Sequence, residues 1–343
     1  MAKRVEHLLA IPTAVRREEL VLLADARFGG AHVQPGPGPW ALSLSRYATL
    51  TEAEPGALDL AQATAVGLLM DEPFAARLSS GFPLRVLIAA TLRERAERPD
   101  FPLADRHGVL HLFGETVPDR QERRTLDWLI AAAARLHGAV IVDSGSREAE
   151  RSYAAAIPDP RAAMNLTVYS PTWLTPRAGE HVCGQVVPGS ALLDGERAWP
   201  GPSPDAVIVP GRQLSVDERV DLHAIVDAHD IAALQGDDSL AGYAVASGLA
   251  TGGLIVVEAG PVEVLPVALR SRADLIHGCV QYRIAWEPDD PGLVHGGHLT
   301  AELAVEQEVA ARTIAALAEA ISEVAGGYVL DDDGFPRGRV VKL

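Results

Sequence analysis

A helical face, a glycine and a short branched run recur four times in this chain, and any fold it adopts must turn the backbone from helix to strand at each of those places. In residues 124–146, Leu126, Leu129, Ile130, Ala133 and Leu136 repeat at helical spacing, Gly138 interrupts, and 139–142 run to Asp143. Near the C-terminus Ile314, Leu317, Ile321 and Val324 mark a face, Gly326-Gly327 breaks it, and Tyr328-Val329-Leu330 leads into Asp331, Asp332 and Asp333. Two looser copies exist. Leu20, Leu23, Ala24 and Phe28 precede Gly29-Gly30, and a helix opened by a Ser215/Glu218 capping box carries Leu222, Ile225, Val226 and His229 before Gly242. A glycine just past a helix takes the left-handed conformation without a Cβ clash, so a strand can leave in a new direction.

Each of the four helices follows a strand-like run, at 8–11, 109–113, 207–209 and 281–286, with further strands expected at 40–47, 254–257 and 262–269. Two β-α-β units per half match a split β-α-β sheet with helices on one face. The expected fold is therefore α+β, a tandem pair of ferredoxin-like (βαββαβ) domains packed as a pseudo-dimer over residues 1–157 and 164–343. The break falls at Pro158 and Pro160, which bar a continuous helix. A capping box at Thr51-Glu52-Ala53-Glu54 predicts extra helices in the N-terminal half, through about Leu78.

At 343 residues the chain exceeds one ordinary core, which agrees with two domains. Its net charge of -16 disfavours nucleic acid and anionic membrane surfaces as partners. The basic clusters Arg16-Arg17 and 120–124 alternate with Glu18, Glu19 and Glu122 and read as solvated helix faces. No uncharged apolar run approaches a bilayer span, and two distant cysteines form no disulfide framework, so a cytoplasmic protein is expected. Arginine supplies every cation except Lys3 and Lys342, a bias read as GC-rich bacterial codon usage.

Three constellations carry possible chemistry. His181 and Cys183, and His277 and Cys279, are His-x-Cys pairs; on strands each pair would share a face, and together they would offer a tetrahedral zinc set. Against that stands the habit of cysteine to be a small core residue. His295 and His298 precede a helix start at Thr300, where free backbone donors favour an anion, although an exposed glycine loop explains the same residues. The aspartate triplet before Gly334 reads as a turn, because a calcium loop would need a closing glutamate that Phe335-Pro336-Arg337 does not supply.

No nucleophile elbow, phosphate loop, dinucleotide fingerprint or zinc-protease helix is present. The expectation is a non-catalytic cytoplasmic bacterial binding or interaction protein without a cofactor, taking a protein partner or a small anionic ligand. The alternatives are a metal-dependent, hydrolase-like enzyme with zinc on the His/Cys pairs, and an anion-responsive regulator.

Overall fold

The computed structural model describes residues 3–35, 39–53, 84–99, 109–145, 153–156, 158, 163–193, 242–276, 278–289 and 301–337. Within them the chain is mixed α+β, with two seven-stranded antiparallel sheets, a two-stranded ribbon and four α-helices.

The first half begins with β1 (Arg4–Pro12), whose Val5, His7, Leu9 and Ile11 alternate onto one buried face as the period of two requires. Helix α1 (Arg17–Phe28) follows, then β2 (His32–Val33), β3 (Ala41–Ser45), β4 (Ala48–Glu52), β5 (Leu84–Leu92) and the short β6 (Arg95–Glu97) and β7 (Thr116–Pro118). Helix α2 (Arg120–Leu136), β8 (Ala139–Asp143) and β9 (Tyr153–Ala156) complete it. The strand order is β2-β3-β4-β5-β1-β8-β9, with β1 paired antiparallel to β5 along its whole length and to β8 on its other side.

The second half has β10 (Leu166–Ser170), α3 (Pro176–Val186), β11 (Ala191–Leu192), β12 (Tyr243–Gly248), β13 (Leu254–Pro261), β14 (Val280–Glu287), α4 (Ala301–Ala325), β15 (Tyr328–Asp331) and β16 (Pro336–Arg337). Its sheet order is β11-β12-β13-β14-β10-β15-β16, with β10 between β14 and β15. The 3-10 turn at Val267–Leu269 sits in the β13–β14 connection and lies against α1 of the first half.

The helix ends explain three of the four glycine junctions. Helix α1 closes on Gly29 at φ 63°, and α2 on His137 at φ 53° with Gly138 next. Helix α4 is followed by Gly326 at φ 72° and Gly327 at φ 111°. A Cβ on Gly138 would collide with the Ala10 carbonyl, and one on Gly327 with the Tyr169 carbonyl, so each glycine lets the helix exit pass directly over a central strand. Gly327→Ala is expected to cost about 1–3 kcal/mol, because a backbone carbonyl cannot yield as a side chain can. A chemical-denaturation midpoint within error of the parent would overturn that account. Gly242 directly precedes β12, while the helix expected at 215–230 and the strand expected at 207–209 lie outside the described residues.

Three local expectations are corrected. Residues 109–113 form a 3-10 turn at Leu110–Leu112; Arg98 donates to the carbonyls of Leu110, Phe113 and Gly114, supplying partners that a sheet would otherwise provide. Residues 262–269 hold the 3-10 turn named above in place of a strand. Thr51 and Glu52 end β4, where Ala48 and Leu50 are buried, so no helix is capped there; the rest of the expected helix lies outside the described residues.

Two main cores result. One gathers Leu9, Ile11, Leu20, Leu50, Leu87, Leu126, Trp128 and Leu129 between the first sheet and helices α1 and α2, and Trp128 Nε1 donates to the Leu23 carbonyl at 3.1 Å. The other packs Val168, Tyr282, Ile284 and Trp286 against Cys183 of α3 and Ala310, Ile314, Leu317 and Ile321 of α4. Phe335, from the second half, is buried in the first core. Among the described residues no helix is long and apolar enough to cross a membrane.

Candidate functional site

A buried polar cluster lies where β1, the end of β5, the start of β6, the start of α2 and the end of β8 meet. Glu122, on the first turn of α2, has no solvent exposure, which corrects its reading as part of a solvated face. Its Oε2 accepts from the Glu94 backbone N–H at 2.9 Å, and its Oε1 from Arg95 Nε at 3.0 Å and Nη2 at 2.9 Å. Arg95 also donates Nη1 to the Gly145 carbonyl at 2.6 Å and Nη2 to that of Asp143, and its guanidinium lies over the Phe113 ring. Arg93 donates to the same Gly145 carbonyl. Burial pushes the Glu122 carboxyl up, but the neighbouring His7 and the Arg95 guanidinium more than offset it, holding the group below its ordinary range.

His7, on β1, is fully buried beside this pair. The Asp143 backbone N–H donates to His7 Nδ1 at 3.3 Å, which assigns the imidazole proton to Nε2. Nε2 lies 3.5 Å from Glu122 Oε1, too far for a well-formed hydrogen bond, so the contact is mainly electrostatic and Nε2 has no hydrogen-bond partner. Thr125 Oγ1 donates to the Gln121 carbonyl at 2.8 Å and lies 3.2 Å from Thr91 Oγ1. The α2 N-terminus is further held by Glu94, whose Oε2 accepts from the Gln121 N–H at 2.8 Å.

A second cluster forms the seam between the halves. Asp331 Oδ1 accepts from the backbone N–H groups of Asp333 at 3.1 Å and Phe335 at 2.9 Å, and Oδ2 from Arg337 Nε at 3.2 Å. The acidic triplet is thus the turn of the β15–β16 hairpin, with Gly334 at φ 78°. Asp143 makes the shorter version, accepting from Gly145 N–H at 3.1 Å. Asp331 has a further role that the turn alone does not suggest: Arg135, on α2, reaches it at 3.9 Å and donates to the Pro336 carbonyl at 3.2 Å. Burial raises the Asp331 carboxyl above its ordinary value despite these donors, and burial together with Arg337 lowers Arg135.

The sequence-predicted ligands are placed as follows. His181 and Cys183 lie on helix α3, where positions two apart point to nearly opposite sides. His181 is exposed beside Gln185, and Cys183 is fully buried with its thiol pushed up to about 11. The strand assignment that would have let this pair chelate is therefore corrected. Cys279 sits in a separate small cluster with Leu269, Leu275 and Leu330, and burial raises its thiol as well. Both thiols are free. His277, and the candidate anion residues His295, His298 and Thr300, lie outside the described residues. Among the described residues no three His, Cys, Asp or Glu side chains gather to hold a metal.

Sequence reasoning missed one more polar locus. Trp286, at the end of β14, and Gln307, on the core side of α4, are both buried, yet Trp286 Nε1 and Gln307 Oε1 have no hydrogen-bond partner. The turn between β12 and β13 runs beside Trp286, with Gly252 at φ 119° and Gly253 at φ 76°. A Cβ on Gly253 would lie 2.6 Å from Trp286 Nε1, and one on Gly252 would lie 3.3 Å from both Asp289 Oδ2 and Glu306 Oε1. A signal was present: Gln307 interrupts the apolar stripe Leu303, Ala310, Ile314, Leu317 at helical spacing.

No protein-family model, curated protein or solved structure matches this chain.

Proposed function

We propose that the chain is a cytoplasmic bacterial binding or interaction protein without catalysis, built from two ferredoxin-like lobes in tandem that pack as a pseudo-dimer. The observation that carries the functional part is how its strongest charged groups are used. Glu122 is bonded to the Glu94 N–H and to Arg95, and Arg95 is bonded in turn to the carbonyls of Asp143 and Gly145. A buried network whose hydrogen bonds go to one another and to backbone groups acts as a scaffold. The thiols agree, since burial keeps both in the protonated, poorly nucleophilic form, and unpaired cysteines suit a reducing compartment.

Strand order supports the tandem reading. In the first half β4-β5-β1-β8 is the split β-α-β order, and in the second β13-β14-β10-β15 repeats it, each sheet extended by further edge strands. Register supports it residue by residue. Ala10 faces Ala139 and Tyr169 faces Tyr328, with Gly138 and Gly327 immediately before those partners. At the same offset Thr125 matches Ile314, Trp128 matches Leu317 and Ala132 matches Ile321, all buried. By that count His7 matches Leu166 and Glu122 matches Ala311, so the ion network belongs to one lobe alone.

A thermal-shift screen of small molecules, followed by incubation of each stabilising compound with stoichiometric protein, tests the reading. The expected outcome is a ligand that raises the melting temperature and is recovered chemically unchanged. Conversion of the bound compound would overturn the non-catalytic assignment.

A further inference from the structure

Among the described residues, two carboxylates of the second half without a counter-charge share a turn with a buried indole N–H that has no partner. Asp289 Oδ2 and Glu306 Oε1 each come within 3.3 Å of one point above Gly252, so they are no more than twice that distance apart. Neither is paired with a cation among the described residues. Two like charges this close repel, and a positive group between them relieves the repulsion. The second, independent observation comes from inside the fold. Trp286 is 7% exposed and its Nε1 faces Gly253, the next residue of the same turn, with no acceptor. An orphaned buried donor or acceptor carries a desolvation cost that a bound partner removes.

The groups left over define the ligand by complement. The carboxylates are acceptors and call for N–H donors with positive charge. Trp286 Nε1 is a donor and calls for an oxygen. An anion fails the first requirement. A bare metal ion fails the second. Resting on the binding reading above, we infer that the β12–β13 turn and the first turns of α4 form a site for a small organic cation, a protonated primary amine with a hydroxyl or carbonyl oxygen close by. The ammonium lies between Asp289 and Glu306, and the oxygen accepts from Trp286 Nε1.

Isothermal titration of the full chain at constant ionic strength tests this with ethanolamine and glycinamide as probes. Ethylamine, tetramethylammonium and calcium chloride serve as comparators. Both oxygen-bearing amines are expected to bind, ethylamine several-fold more weakly, and tetramethylammonium, which has no N–H, not measurably. Asp289→Asn and Glu306→Gln are each expected to weaken ethanolamine at least tenfold. Trp286→Phe is expected to abolish the difference between ethanolamine and ethylamine. Asp289 is exposed, so its variant keeps the test valid if the tryptophan variant fails to fold. The inference is overturned by no heat from either amine, by equal binding of tetramethylammonium, by preference for calcium, or by undiminished binding to Asp289→Asn. An unrelated ligand found in the thermal-shift screen alongside silent amines sinks this site alone. An amine that binds and is consumed leaves the site standing and sinks the non-catalytic reading.

Discussion

Replacing Arg95 with methionine is expected to destabilise the protein by about 3–5 kcal/mol, because it strands the fully buried Glu122 carboxylate without its counter-charge. The same change frees the Asp143 carbonyl at the end of β8 and leaves the Gly145 carbonyl to Arg93 alone. Glu122→Gln is expected to cost a comparable amount, since its amide nitrogen would be placed against either the Arg95 donors or the Glu94 N–H. The double variant is expected to cost clearly less than the two single changes together, as removing both charges avoids an unpaired one. Urea denaturation of the four proteins at neutral pH measures this, and strict additivity would show that the pair is not a coupled unit.

The same network gives a pH dependence with a defined sign. The Glu122 carboxyl titrates lower in the folded chain than in the unfolded one, where the ordinary value is 4.5. Its contribution is therefore fully present above that value and is lost as pH falls through the depressed folded value. The stability gap between the parent and Glu122→Gln should close in that acid window. Asp331 runs the other way. Its carboxyl is raised when folded, so its contribution is present in acid and is lost as pH rises through the folded value. A gap that widened in acid would contradict the placement of charge on Glu122.

The helix exits were legible because their cause is local: an apolar face, then a residue that tolerates positive φ. Gly29, Gly138 and Gly327 all sit at such exits. The strand at 109–113 was not legible, because its fate depends on Arg98 reaching back to three carbonyls. Glu122 was misread for a similar reason. Its spacing among arginines matches a solvated face, and only the approach of Arg95 from a different element makes burial affordable. The His181 and Cys183 pair turned on a helix-or-strand choice; Thr175 and Pro176 provide a helix start, with Thr175 Oγ1 accepting from the Ala178 N–H at 3.4 Å. In each miss the deciding partner is distant in sequence or was overlooked at the element's start.

The largest effect expected at the seam follows from Phe335. This side chain belongs to the β15–β16 hairpin of the second half but is 1% exposed within the core of the first, close to Ala131 and Ala134 of α2. Truncation to alanine removes most of a buried ring from a contact that α2, already packed on its own sheet, cannot close by moving, and the expected cost is about 3–5 kcal/mol. The ring also couples the halves, together with Arg135, which links α2 to Asp331 and Pro336. The parent is therefore expected to melt in a single calorimetric transition, and Phe335→Ala to lower and split it into two, because the cores no longer share a buried side chain. Phe335→Leu, which keeps most of the volume, should cost under about 1.5 kcal/mol and preserve the single transition. Two transitions in the parent, or an unsplit and unshifted melt in the alanine variant, would mean that the hairpin is laid on the first half without holding it.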